Sequence, residues 1–247
     1  MERKKLKVCW ISAGVSSFIA GYLEKETIDE FIYIDIEDQH SDSLRFIKDC
    51  EKVLGKEITI LKSKDYKNVE ETVLSFGFFK KIVSGFAPCT NCLKKRVRKE
   101  WEQEHSDYDI TYIWGMDCNE KDRAQKLCDT MIEFDHQFPL IDRELTKQDA
   151  HGICTQLNVK RPIMYDLGYG NNNCIGCIKG GMGYWNKIRK DFPKVFESRA
   201  KLERKVGCTI LKEADGTPIY LDELDENRGR MSDEISTECN IFCMLNI

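Results

Sequence analysis

The chain has 247 residues, 41% of them hydrophobic and 32% charged, with a formal net charge of −4. That length suits one large domain or a domain with an appendage, and the mixed charge excludes a strongly basic nucleic-acid binder while leaving room for local basic patches. No apolar run approaches the roughly 18 to 20 residues a membrane-spanning helix needs. The start, MERKKLKVCWIS, lacks the long apolar core and cleavage site of a secretion signal, so the expected location is the cytoplasm, with no membrane partner.

Residues 6–11 predict a buried strand and residues 15–25 a helix. Between them lies Ser12-Ala-Gly-Val-Ser-Ser17. Small side chains there let backbone N–H groups approach a ligand closely, and a helix N-terminus favours an anion. A phosphate cradle and an ordinary tight turn both fit that stretch taken alone. FIYIDI (31–36) predicts a second strand, followed by the polar loop EDQHSD and a helix with Leu44, Phe46, Ile47, Val53 and Leu54 at apolar positions. EITIL (57–61), DITYIW (109–114) and DTMIEF (129–134) predict three more strands. Short β-branched or aromatic runs alternating with helix-length segments predict an α/β fold with a doubly wound, mostly parallel sheet. Ligands of such sheets bind at the C-terminal ends of the strands, where the Ser12–Ser17 loop lies.

Beyond residue 136 the texture changes. LTKQDAHGICTQL (145–157) has a Thr146 N-cap and helical spacing. YDLGYGNNNCIGCIKGGMGYW is rich in Gly and Asn, hence irregular. FPKVFESRAKLERKVG (192–207) predicts a helix with Pro near its start and Gly at its end. The domain reading is an α/β unit carrying the Ser12–Ser17 loop over 1–140 and a helical, cysteine-containing extension over 141–247, packed on it and ending in a mobile tail.

Twelve cysteines are many for a reducing compartment. Two pairs stand out, Cys89-Thr-Asn-Cys92 and Cys174-Ile-Gly-Cys177, each beside turn-forming residues. A two-residue gap lets both thiolates of a pair face one ion, and two pairs complete a four-sulfur shell. A 4Fe–4S cluster and a zinc ion both accept that shell; a structural zinc knuckle is the plainer form. Cys9, Cys118, Cys128 and Cys154 read as core or inert, and Cys50 and Cys208 offer no site. Cys239, in the terminal T-E-C-N-I-F-C, is a candidate nucleophile on an accessible tail; a tail packed by Ile241, Phe242 and Leu245 is the alternative. The charges of residues 94–99 read mostly as a solvated helix face.

Taken together these residues resemble the sulfonucleotide reductase family (phosphoadenylyl- and adenylyl-sulfate reductases), within the wider PP-loop, adenine nucleotide α-hydrolase-like group. The loop Ser12–Ser17 resembles the family's S-G-G-x-D-S phosphate loop. YIDIEDQHSDSLRFI (33–47) resembles the segment that helps hold the adenosine, and WGMDCNEKDRAQ (114–125) the G-x-R-x-x-E-S-x-x-R region, with Arg123 at its last arginine. FPLIDRELTKQDAHGICTQLNVKRPIMYDLGYGNNNCIGC resembles the stretch leading to the second cysteine pair, and T-E-C at 237–239 resembles the C-terminal E-C-G-x-H. The chain departs from the pattern at Ala13 for the first loop glycine, at Ser16 for the aspartate, at C-x-x-C for C-C, and at Asn240 and Phe242 after Cys239.

The resemblance implies an adenine nucleotide held by the loop N–H groups and by Ser12, Gly14, Ser16 and Ser17, with Asp35 accepting from the adenine amine or ribose and Arg123 and the basic residues Lys94, Lys95 and Arg96 as charged donors. It implies a cluster on Cys89, Cys92, Cys174 and Cys177, attack by Cys239 on the sulfur of a sulfonucleotide, and a thioredoxin-like reductant. Paired C-x-x-C motifs also resemble the PP-loop tRNA-thiolating enzymes. That similarity implies an ATP pyrophosphatase using Mg²⁺ to adenylate a nucleic acid or small molecule. The altered loop fits a third expectation, a non-catalytic nucleotide-binding protein with a structural zinc site.

Overall fold

The computed structural model describes residues 3–81 and 85–231. Its first strand, β1 (Lys4–Ile11), buries every residue from Val8 to Ile11, as a strand covered on both faces must. It is followed by α1 (Val15–Leu23), β2 (Glu30–Ile34), α2 (Asp42–Leu54), β3 (Ile58–Leu61) and α3 (Val69–Phe76). A helical stretch comes next, formed by α4 (Pro88–Thr90), a π-helical turn over Asn91–Lys95, and α5 (Arg96–Glu104). Then come β4 (Tyr108–Ile113), a 3₁₀ turn (Cys118–Glu120), α6 (Lys121–Thr130) and β5 (Asp135–Gln137).

The five strands form one parallel sheet in the order β3-β2-β1-β4-β5. The chain thus builds outward from β1 to β3, returns, and builds outward on the other side of β1. That reversal puts a topological switch point between the C-terminal ends of β1 and β4. Alternate residues serve opposite faces. Val8, Trp10, Ile32, Tyr112 and Trp114 pack under α3, α5 and α6 with Val73, Trp101 and Leu127. Cys9, Ile11, Phe31 and Ile113 pack under α1, α2 and a later helix with Phe18, Phe46 and Ala150.

The described residues that follow add α7 (Pro139–Asp142), α8 (Lys147–Gln156), α9 (Ile163–Asp166), α10 (Met182–Asp191) and α11 (Pro193–Val206), then the short hairpin β6 (Leu211–Lys212) and β7 (Pro218–Ile219). Thr146 caps α8 through a reciprocal capping box with Asp149, and Gly207 ends α11 at φ +68, both as their residue types predict. The segment contributes to both sheet faces, with Cys174, Ile178 and Leu202 on one and Leu140, Cys154 and Tyr165 on the other. It also has its own core around Trp185, Phe196 and Leu221.

Two expectations need correction. The strand expected at 129–134 is instead the end of α6 and a turn, and the edge strand is Asp135–Gln137. Leu127 is the apolar anchor there, whereas Ile132 is 87% exposed. The charges at 94–99 divide rather than face water together. Arg96 and Lys99 are exposed, but Lys94 and Arg98 are buried, and Arg98 pairs with Glu102 at 3.0 Å.

Glu203 on α11 is fully buried and holds the hairpin region to the helix. Its carboxylate accepts from the backbone N–H of Ile210 and of Leu221, each at 2.6 Å. Burial outweighs those two bonds and pushes its pKa from 4.5 up to about 7. Between those values the folded state keeps a proton that the unfolded chain has released. This contribution to stability is therefore complete below pH 4.5 and is lost as pH rises through 7. We expect the stability of the wild type relative to Glu203→Gln, from urea unfolding, to fall from pH 4.5 to pH 8 by about 3 kcal/mol at most. A difference flat across that range would contradict the assignment.

Candidate nucleotide site and cysteine cleft

The Ser12–Ser17 loop runs from the end of β1 into α1 at the switch point. Ala13 takes φ +58, a left-handed conformation that favours glycine. The backbone therefore keeps the shape of a glycine turn although the glycine is absent. Gly14 is the extended N-cap of α1. Ser17 is the loop's internal staple: its Oγ accepts from the Ser12 N–H at 3.0 Å, lies 3.0 Å from the Ser12 Oγ, and donates to the Gly14 carbonyl at 3.0 Å. The Gly14 N–H donates to the Ser12 Oγ at 3.3 Å, and the Val15 N–H to the Tyr165 hydroxyl at 3.4 Å. Ser16 and Ser17 are both buried. The hydroxyl of Ser17 thus shapes the cradle, and Ser12, half-buried, is the serine at its surface.

The loop is held from two sides by residues that the sequence reading did not single out. Gly115, just past β4, lies against the start of α1 so closely that a Cβ there would sit 2.4 Å from the Ser17 Cα and 2.5 Å from its N. Asn172, from the Gly/Asn-rich segment, donates through Nδ2 to the Ala13 carbonyl at 2.8 Å and to the Ser43 Oγ at 3.0 Å. The run Asn171-Asn-Asn173 directly before a cysteine pair was its only sequence signal.

The other expected nucleotide contacts have their own protein partners. Asp35, one residue past β2, forms an ion pair with Lys62 at 2.8 Å. Arg123 is buried on α6 and pairs with Glu120, whose second oxygen accepts from the Asp117 N–H at 3.2 Å. That pair braces the loop after β4, on the far side of the switch point.

The cysteine pairs come together in part. One cleft is lined by Cys89, Cys174 and Cys177 together with Ile36, Lys94 and Lys179. Cys92 does not line it. Between the two cysteines the chain passes from α4 into the π-helical turn at Asn91, which winds more widely than an α-turn. Cys92 is 1% exposed; burial pushes its thiol up, while Arg96 acts the other way. Among the described residues no group of three or more His, Cys, Asp or Glu side chains is placed to hold one ion. The described cysteines as arranged do not form the closed four-thiolate shell of a 4Fe–4S cluster or a zinc site. Cys9, Cys50 and Cys154 are buried, and desolvation raises the pKa of each thiol. Cys239 lies outside the described residues.

The C-I-G-C turn is closed on a single hydroxyl. Tyr184 Oη accepts from the Cys177 N–H at 2.9 Å and donates to the Cys174 carbonyl at 3.1 Å. Gly176 supplies the left-handed residue at φ +70. The turn is also tied to the sheet, because the Ile175 N–H donates to the Asp38 carbonyl at 2.8 Å. Asp38 in turn forms a buried ion pair with Arg199 of α11 and accepts from the Val69 N–H, at the start of α3, at 2.6 Å.

No family model matches the chain, and no curated protein matches it. Among solved structures it is similar to a phosphoadenylyl-sulfate (PAPS) reductase from Candida auris in a phosphate complex. The match has 13% identity and a TM-score of 0.44, and covers 68% of this chain and 79% of that one. Those values are too low for a residue's role to pass from one chain to the other. Among the described residues no helix is long and apolar enough to cross a membrane.

Proposed function

We propose that this protein binds an adenine nucleotide at the Ser12–Ser17 loop and acts in sulfur transfer, as a sulfonucleotide reductase-like enzyme. The observation that carries this reading is position. The small-residue loop and the N-terminus of α1 lie at the switch point of a parallel sheet, the place where such sheets bind ligands. The cleft lined by Cys89, Cys174 and Cys177 begins one residue beyond Asp35 and two beyond Asn172 in the chain. Nucleotide loop and thiols are thus neighbours through short pieces of backbone.

In this reading Gly14 and the loop shaped by Ser12, Ser16 and Ser17 face the phosphate oxygens, and Lys94 and Lys179 bring positive charge to the cleft. The Cys239 thiolate attacks the sulfur of the sulfonucleotide. The S–O bond to phosphate breaks, the nucleotide leaves with that electron pair, and the enzyme carries an S-sulfocysteine. A thiolate of a thioredoxin-like reductant attacks the Cys239 sulfur, releasing sulfite and leaving a mixed disulfide that its second thiol resolves.

A second reading, an ATP pyrophosphatase using Mg²⁺ to activate a nucleic acid or small molecule for thiolation, is favoured by the fact that both C-x-x-C pairs contribute to one cleft. One experiment separates the two. Anaerobically purified protein is given adenylyl or phosphoadenylyl sulfate with reduced thioredoxin, and in parallel ATP with Mg²⁺ and tRNA. Sulfite release that disappears in Cys239→Ser supports the first reading, and tRNA-dependent pyrophosphate release the second. Nucleotide binding with neither product would overturn both in favour of a non-catalytic binder.

A further inference from the structure

Asn172 is 5% exposed, and its carbonyl oxygen Oδ1 is buried without a partner. Both amide hydrogens have acceptors, the Ala13 carbonyl and the Ser43 Oγ. The Ala13 carbonyl cannot donate, so the amide is not reversed. The one unused capacity is an acceptor. It lies between the loop that starts α1 and Ser43 in the first turn of α2, at the C-terminal ends of β1 and β2. A buried acceptor left unmatched costs about 1–3 kcal/mol, and beside an anion cradle it disfavours a phosphate oxygen. What it suits is a hydrogen-bond donor.

We propose that Asn172 Oδ1 is a specificity-determining contact that accepts a hydrogen bond from the nucleoside half of the nucleotide, from a ribose hydroxyl or the adenine amine. This inference rests on the nucleotide-binding reading above and adds the feature by which the ligand is selected. The two amide donors fix the oxygen's direction, so recognition is pre-organised by the loop itself. The same residue stands two positions before Cys174, so the cysteine turn and nucleoside selection share one short segment.

The test is calorimetric titration of the full chain with ATP, 2′-deoxy-ATP, 3′-deoxy-ATP and ITP, which lacks the amine. In the wild type, one of the three analogues is expected to bind about tenfold or more weakly than ATP, and which one it is identifies the donor. In Asn172→Ala that difference shrinks to less than about threefold. In Ser43→Ala, which leaves the Ala13 bond and hence the amide direction, it persists. If all three analogues bind the wild type within twofold of ATP, the proposal is overturned without recourse to any variant. It is also overturned if the discrimination survives in Asn172→Ala, which would leave the amide as a staple with a buried water on its oxygen. Absence of binding of both ATP and adenylyl sulfate by the wild type would instead refute the nucleotide reading.

Discussion

Gly115→Ala is expected to lower the thermal midpoint by about 5–10 °C and to weaken nucleotide binding by tenfold or more. The added Cβ meets backbone, the Ser17 Cα and N at 2.4 and 2.5 Å and the Ser16 carbonyl carbon at 2.8 Å, so no side-chain rotation relieves it. Overpacking of this kind costs about 1–3 kcal/mol, and a chain of this size loses roughly 2–4 °C per kcal/mol. The binding loss is the more specific consequence, because the atoms that must move are the loop and first turn that would hold the phosphates, and small misplacements of such groups are costly. Gly152→Ala is the internal control. Gly152 lies in the middle of α8, is exposed, and has nothing within 4 Å of an added Cβ. Alanine there is expected to raise stability by about 0.5–1 kcal/mol and leave nucleotide binding unchanged. Thermal melts and titration of both variants check the pair of outcomes; unaltered affinity in Gly115→Ala would separate the loop from the binding site.

Arg199→Met is expected to have the largest effect on stability. Arg199 is 4% exposed and pairs with Asp38, whose second oxygen takes the Val69 N–H and whose carbonyl takes the Ile175 N–H. Methionine fills similar volume but leaves a buried carboxylate without its cation. Removing one partner of a buried pair costs about 3–5 kcal/mol, which in a chain of this length is a drop in thermal midpoint of about 10 °C. Asp38→Asn in the same background removes the stranded charge while keeping an acceptor for Val69, so the double variant is expected to recover part of the loss. A double-mutant cycle measures that coupling. Because Asp38 also anchors Ile175, Arg199→Met should speed alkylation of the buried Cys174, read by mass spectrometry. A melting point within about 2 °C of the wild type would show that the pair is not a keystone.

What the residue pattern revealed and what it concealed follow a physical division. The first four strands were legible because each is a short apolar or β-branched run bounded by helix-length segments. The cap of α8 at Thr146 and the end of α11 at Gly207 were legible because capping is settled within four residues. The fifth strand was misplaced because Met131, Ile132 and Phe134 look strand-like locally, whereas Leu127 holds α6 to the sheet and leaves Ile132 in water. Lys94 and Arg98 read as solvated because their burial depends on what the π-turned helix packs against. At the site, the position of Ser12–Ser17 followed from the strand pattern, but its supports did not. Asn172 meets Ala13 across 159 positions of chain and Arg199 meets Asp38 across 161, and no local rule pairs such residues. Members of both cysteine pairs, Cys89, Cys174 and Cys177, line one cleft. Cys92 is buried within the π-helical turn, a change of winding that spacing does not encode.

The central claim is that the loop between β1 and α1, at the switch point with β4, is where a nucleotide binds. Hydrogen–deuterium exchange with and without saturating ATP or adenylyl sulfate tests it most directly. Slower exchange in peptides covering Ser12–Leu23 and Trp114–Asp117, extending to the segment around Asn172, is the predicted result. Saturable nucleotide binding that leaves both peptides unchanged would contradict it.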